Sequence, residues 1–465
     1  MNVIRYFRPS QIPALYTLSV AGIIFISALI GSLSRPDEMS MTIFWPANAI
    51  LIALMFRYPQ RSAFPVWVAA VGGYLLSNYV MGEPPQVNVM MTMANLSGVI
   101  AAWWLYTRVF SFGVYLKSRY SVLHLFILCI ISSVVSAIFG AIVMEFVLDK
   151  PFFLAMIYWF SGDLSSMVAF LPVALAFPEK LVKINRKLRL YDFLPLIMVV
   201  FSVAMIFVLG GPGAIAFPVL ALIWCALTYS YFVNTVIVMF FVICLFACEV
   251  LGLLPLFSAD EFVGDTISFR LGVTILVLAP LVVASMNDAR SRLIRKLDHA
   301  VNYDHLTNVL SRKAFEQRGE QLLSSPHPDQ NHLAFLMMDL DYFKRVNDQF
   351  GHQGGDELLV HFAKLVQDII PPDCLCGRMG GEEFAAFIPG SSCERASSIA
   401  ERIRHEVSHL ELNREGENTI STTVSIGVAC VNHGSAKWEE LMEMADKALY
   451  QAKHQGRNQV RYFNC

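Results

Sequence analysis

About ten apolar runs, separated by short polar breaks, fill residues 12–286, and no other feature constrains the fold so strongly. A helix needs about 20 largely apolar residues to cross a bilayer, because each residue adds about 1.5 Å. The runs are 12–33, 41–55, 63–81, 89–109, 121–148, 152–177, 193–210, 214–232, 235–257 and 271–286. The first exceeds a signal-peptide core and lacks a convincing cleavage site, so it reads as a retained span. The second is short for a span.

The chain of 465 residues is 55% hydrophobic and 15% charged, too apolar for a soluble protein. A net charge of -2 gives no global pull toward nucleic acid, so no such partner is expected and any anion site must be local. Charges are sparse to about Met286 and frequent from Asp288 onward. The expected organisation is an all-α multi-span membrane domain over 1–287, a linker helix over 288–303 and a soluble α+β domain over 304–465. Basic residues gather in alternate loops: Arg5 and Arg8; Arg57 and Arg61; Arg108, Lys117 and Arg119; then Lys180, Lys183, Arg186, Lys187 and Arg189. The other loops carry acids such as Asp37, Glu38, Glu83, Asp260, Glu261 and Asp265. By the positive-inside rule both termini face the cytoplasm, a conclusion that needs an even number of spans.

Ionisable groups inside spans are costly and mark candidate functional sites. His124, Glu145, Asp163 and Glu249 qualify, with Glu145 and Glu249 near span ends. Asp163, followed by Ser165 and Ser166, is the sensor candidate, with a polar helix contact as the equal alternative. Nine cysteines without framework spacing argue against structural disulfides, so reduced thiols are expected. The linker places Met286, Leu293, Leu297 and Ala300 at heptad-compatible spacing, as in a short signalling coiled coil. A solvated helix whose Arg290, Arg292, Arg295 and Lys296 touch lipid headgroups explains the same residues.

Beyond residue 304 the pattern alternates. Helices fit 313–324, 341–350, 354–370, 394–412 and 436–454; strands fit 332–339, 375–379, 383–388, 419–430 and 459–463. Gly380 and Gly381 turn one strand into the next as a hairpin, giving a mainly antiparallel sheet covered by helices. Asp339 ends a buried strand, and Glu382 and Glu383 stand at the hairpin tip in the same sheet. Acids so placed can share divalent cations, and two ions about 4 Å apart can activate a hydroxyl and stabilise a leaving phosphate. On spacing alone GGEE also fits an ordinary exposed hairpin, and Asp341 fits the N-cap of the following helix.

DHLTNVLSR at 304–312, DLDYFKRVNDQFGHQGGDELL at 339–359, RMGGEEF at 378–384, TTVSIGVA at 422–429 and ADKALYQAKHQGRN at 445–458 together resemble the GGDEF family of diguanylate cyclases. Less specifically, FWPANA at 44–49 and WFSGDL at 159–164 resemble a membrane-associated sensor domain of the MASE type. The GGDEF resemblance implies a palm-like nucleotidyl cyclase fold and condensation of two GTP into cyclic di-GMP and two pyrophosphates. It implies two Mg²⁺ per half-site, with Mn²⁺ as an alternative, held by Asp339, the Leu340 carbonyl, Glu382 and Glu383. Glu382 would also help deprotonate the attacking 3′-hydroxyl. Asn347 and Asp356, beside Phe343, would take the guanine edge, and Lys344, Lys453 and Arg457 the phosphates. The further implied partners are a second copy of the chain, joined through the GGDEF domain and linker helix, the lipid bilayer of a bacterial inner membrane, and a sensory ligand.

The sequence departs from the family pattern in places. Glu382 stands where the family name has Asp, keeping the ligand, and Asn308 and Ser311 replace a more usual Gly and Asn. Pro371 and Cys374 occupy the Arg and Asp positions of the family's Arg-x-x-Asp product-inhibition site. Weak or absent feedback is therefore expected, because no guanidinium is available there. Two further readings are a catalytically silent nucleotide-binding receptor and a transporter; the retained Asp339 and Glu382 favour the cyclase over the receptor.

Overall fold

The computed structural model describes residues 14–35, 42–58, 64–109, 121–178, 189–210, 212–254, 262–324, 332–412, 419–432 and 437–463. The chain divides into two compact units, Met1–Arg292 and Leu293–Cys465.

The first unit is helical: α1 (Ala14–Leu33), α2 (Pro46–Arg57), α3 (Phe64–Val80), α4 (Pro85–Arg108), α5 (Ser121–Leu148), α6 (Phe152–Ala176), α7 (Leu194–Leu209), α8 (Pro218–Thr228), α9 (Tyr231–Val250) and α10 (Phe262–Asn302). Seven are long and apolar enough to cross a membrane: α1, α4, α5, α6, α9, α10, and α7 with the short turn before it. Helices α2, α3 and α8 are shorter. Helix α2 spans only about 18 Å and is buried almost all round, so packing inside the unit replaces contact with lipid.

Two expected boundaries move. The run expected at 214–232 breaks early, because Ser230 caps α9 by accepting a hydrogen bond from the Val233 N–H at 3.4 Å. The last helix begins at Phe262 rather than near residue 271, which brings Arg270 inside it, and it continues through the expected linker to Asn302. Arg5, Arg8, Arg61, Lys117, Arg119, Lys180, Lys183, Arg186 and Lys187, with Asp37, Glu38, Asp260 and Glu261, lie outside the described residues.

The second unit is a six-stranded sheet of order β1-β3-β4-β2-β5-β6. The strands are β1 (Leu310–Ser311), β2 (His332–Leu340), β3 (Leu375–Gly380), β4 (Glu383–Pro389), β5 (Val424–Asn432) and β6 (Val460–Tyr462). The β2–β4, β2–β5 and β3–β4 pairs are antiparallel, and β1–β3 and β5–β6 are parallel. The helices are α11 (Arg312–Ser324), α12 (Phe343–Ile369), α13 (Cys393–Ser408) and α14 (Trp438–His454). Two expectations changed at their ends: the helix expected to reach residue 412 stops at Ser408, and the strand expected from residue 419 starts at Val424.

Strand β2 explains why its sequence is apolar without alternation. Ala334, Leu336, Met338 and Leu340 join one core with residues of α12 and α13, while Leu333, Phe335 and Met337 join another with residues of α11 and α14. Both faces of the central strand are covered, so every position but the first is buried. Helix α14 lies so close to β5 that a Cβ on Gly427 would collide with the backbone of Ala445 and Leu449. One expectation fails: Cys393, the first residue of α13, forms a disulfide with Cys430 of β5, their Cα atoms 5.6 Å apart. The fold brings together two residues whose separation of 37 carried no framework signal.

Candidate active site

The site grows from the end of β2. Asp339 pairs in register with Glu383 on β4 and with Ser425 on β5. The β3–β4 connection is a two-residue turn of Gly381 and Glu382, because Gly380 pairs with Glu383. Gly381 takes φ 51°, the left-handed value that a tight turn of this kind assigns to its first central residue. The Leu340 N–H reaches the Glu382 carbonyl at 3.4 Å, so the backbone of the turn touches the end of β2. Asp339, Leu340, Glu382 and Glu383 therefore meet at one sheet edge.

Asp339 is 7% exposed. Burial pushes its carboxyl up to about 6; the hydrogen bond and charge of Lys453 oppose the rise, and Glu382 and Glu383 add to it. Lys453 Nζ lies 2.7 Å from Asp339 Oδ2. Converging carboxylates with a raised proton affinity and a backbone carbonyl are hard oxygen donors, which fit Mg²⁺ in kind. Among the described residues, no three such side chains are already drawn into a metal-binding cluster. The fit is thus one of donor type and location, with Lys453 supplying the positive charge on Asp339.

Asp341 is a correction. It does not cap α12: the residue preceding that helix is Tyr342, in the left-handed region at φ 56°, and no side chain caps the helix. Asp341 is instead 3% exposed and accepts hydrogen bonds from Thr423 Oγ1 and Ser425 Oγ, both at 2.7 Å, and from the Asn458 N–H at 3.0 Å. The loop after α14 runs through positive φ at Gly456, Arg457 and Asn458, and this buried carboxylate holds it. Arg457 places its guanidinium 4.6 Å from the Tyr342 ring centroid, with Nε 4.0 Å from Asp341 Oδ1.

Helix α12 contains a break at Gly351, φ 72° and ψ 170°, which matches two expected helices rather than one. Across that break Asn347 faces Gly355, where an added Cβ would collide with Asn347 Oδ1. Asp356 is the next residue and is exposed, so the two expected guanine-binding groups lie close together. Phe343 is buried in the core beneath them, and Lys344 is exposed in the first turn of α12.

Arg378 escaped notice in the sequence. Its Nε and Nη2 donate to the Gly381 carbonyl at 2.9 and 2.7 Å, and its Nη1 donates to Asp304 Oδ1 at 3.0 Å. Although burial alone would raise it, hydrogen bonds from the Thr307 side chain and backbone and the Arg378 guanidinium hold the Asp304 carboxyl below its ordinary value. The DHLTN segment thus braces the hairpin turn. The only hint was that an Arg and an Asp stood beside the two most distinctive motifs.

In the membrane unit, Asp163 on α6 is 5% exposed, and its Oδ1 accepts from Asn48 Nδ2 at 3.0 Å.

Residues 301–459 match the family model described as diguanylate cyclase, GGDEF domain. The chain is 30% identical over 435 residues to a protein of Escherichia coli O157:H7 named probable diguanylate cyclase DgcF, a match covering 90% of this chain and 89% of the relative. It is 33% identical over 317 residues to the protein of that name in Escherichia coli strain K12, covering 65% of this chain and 96% of the relative. A crystal structure of the coiled coil and GGDEF domain of DgcB from Caulobacter crescentus, in complex with c-di-GMP, is 31% identical; it covers 40% of this chain and 98% of that one at a TM-score of 0.37.

Proposed function

We infer, from the premise that this chain belongs to the GGDEF family and is a diguanylate cyclase, that it makes cyclic di-GMP under the control of a signal received by its membrane half. The register that sets Asp339 against Glu383, with Glu382 in the adjoining turn, carries the catalytic part of this reading. Asp339, the Leu340 carbonyl, Glu382 and Glu383 would hold two Mg²⁺, or Mn²⁺, in each half-site. The ions supply charge neutralisation and lower the proton affinity of a bound hydroxyl.

The protein's own groups divide the remaining work. Glu382 assists removal of the proton from the attacking 3′-hydroxyl. Asn347 and Asp356 bond the guanine edge, and adenine would leave them unpaired. Lys344, Lys453 and Arg457 offset the phosphate charge. Each chain holds one GTP, so two copies must meet with their hairpins facing; the linker part of α10, whose Leu293, Ile294, Leu297 and Val301 are exposed, offers a second dimer contact.

The first unit reads as a MASE-type sensor spanning a bacterial inner membrane, with both termini cytoplasmic. Ties between helix ends support this topology. Arg35, after α1, pairs with Glu83, after α3, at 2.7 Å, so α2 and α3 together return the chain to one face. At the other face Arg57 donates to the Phe177 carbonyl, Phe177 packs edge-on to Phe232 and the Tyr229 hydroxyl donates to the Asp192 carbonyl at 2.8 Å. Asn287 of α10 reaches the Leu227 carbonyl near that face at 3.2 Å. Helix α1 starts, and α10 leaves, on the face opposite Arg35.

The test is GTP turnover by the full chain in detergent with Mg²⁺, beside Glu382→Gln and Glu383→Gln. Cyclic di-GMP should form and fall at least about a hundredfold in either variant. A wild-type chain that binds GTP yet makes no product would instead support the silent receptor.

A further inference from the structure

Arg270 on α10 is 2% exposed, and neither its Nε nor its Nη1 makes a hydrogen bond. An unpaired guanidinium in an apolar interior costs several kcal/mol, so a compensating anion is required. Glu249 on α9 is the neighbouring buried carboxylate, but both of its oxygens also lack hydrogen-bond partners. The Arg270 guanidinium rests partly on the ring of Tyr158, 4.8 Å from its centroid.

Arg270 borders a cavity of about 400 Å³ within the membrane unit, a size typical of small-molecule sites. Asp163 borders the same cavity, and its Oδ2 is a second buried atom without a hydrogen bond. The two charges are neighbours, because a Cβ on Gly162 would stand 3.2 Å from Arg270 Nη1. Asp163 is fixed in place: Asn48 donates to its Oδ1, and Asn48 is itself held by Tyr74 at 2.8 Å, Trp45 at 3.2 Å and Asn95 at 3.0 Å. Trp45, Met91 and Trp159 supply apolar wall. The Arg35–Glu83 ion pair also lines the cavity, where each residue satisfies the other.

We propose that this cavity binds an α-amino acid with an apolar or aromatic side chain, its carboxylate on Arg270, its ammonium on Asp163 Oδ2 and its side chain against Trp45, Met91 and Trp159. One fixed positive and one fixed negative group, side by side and both lacking partners, match a zwitterion rather than a simple anion or cation. The proposal names the ligand class of the sensor and so rests on the reading that the membrane half receives a signal.

The experiment is thermal unfolding of the full chain in detergent micelles with each standard L-amino acid at millimolar concentration, since a ligand of the folded state raises the midpoint. At least one apolar or aromatic amino acid should stabilise the chain. Its N-acetyl derivative, which lacks the ammonium, and its methyl ester, which lacks the carboxylate, should each bind at least about tenfold more weakly. Arg270→Gln and Asp163→Asn should abolish the stabilisation; should either variant fail to fold, the two derivatives still decide the matter on the wild-type chain. No stabilisation by any amino acid, or equal stabilisation by the derivatives, overturns the site. Recording GTP turnover on the same preparations separates the two readings. Turnover without amino-acid binding overturns the site and leaves the cyclase standing. Binding without any change in turnover supports the site and counts against control from the membrane half.

Discussion

Lys453 Nζ stands 2.7 Å from Asp339 Oδ2, so the last helix of the catalytic unit closes a charge pair on the carboxylate that ends β2. Burial raises the Asp339 carboxyl to about 6, and Lys453 is the group that holds it down. Asp339 must be ionised to bind a cation, so Mg²⁺-dependent turnover falls as pH drops through this value. Lys453→Met removes the opposing charge and moves the acid limb of the pH–rate profile to higher pH. At neutral pH kcat/KM should fall about tenfold, the cost of a charged hydrogen bond. An unmoved acid limb would show that Lys453 does not act on Asp339.

Asp304 braces the hairpin through Arg378, and its carboxyl titrates below the ordinary value of 3.8. A lowered folded-state value means stability that is present above pH 3.8 and lost as pH falls below it. Asp304→Asn should cost about 1–3 kcal/mol at neutral pH, the loss of a charge-assisted contact. Amide exchange at 381–383 should be faster in the variant at pH 7, and the ratio between the two proteins should shrink in acid.

Gly355→Ala places a methyl where Asn347 Oδ1 now lies. If Asn347 reads guanine, displacing it should raise the KM for GTP about tenfold and narrow the preference for GTP over ATP. Steady-state kinetics with both nucleotides checks this, since simple destabilisation would not alter the preference.

Pro371 and Cys374 enclose a short turn in which the Cys374 N–H meets the Pro371 carbonyl at 3.0 Å. Neither offers a charged donor or acceptor, because burial pushes the Cys374 thiol up to about 11. Product added to the full-length enzyme should leave initial rates unchanged through this site. The double substitution Pro371→Arg, Cys374→Asp should introduce inhibition, measured as product-dependent slowing of turnover.

Much of the catalytic unit was legible because chemistry and periodicity coincide there. The run over 332–339 has the length and apolarity of a buried strand, and Gly380-Gly381 marks the turn after β3. Other features carried no local signal. Strand β1 has two residues, too few for any period, and exists only because β3 pairs with it. Asp341 looks like a cap in sequence, since its three donors come from residues more than 80 positions away. Arg270 lies where the apolar run weakens near its start, so hydropathy placed it outside the span while packing drew it in. The Cys393–Cys430 bond likewise depends on α13 docking against β5, which spacing cannot reveal.

The pairing of Asp339 with Glu383 also acts as a check on assembly. Side chains alternate faces along a strand, so sliding β4 by one residue would point its apolar set the wrong way and drive Glu383 toward the core. A chain that folded in that register would lose both its packing and its acids at once. Misfolded copies would therefore be unstable as well as inactive, which limits the accumulation of stable, catalytically dead molecules in a signalling pool.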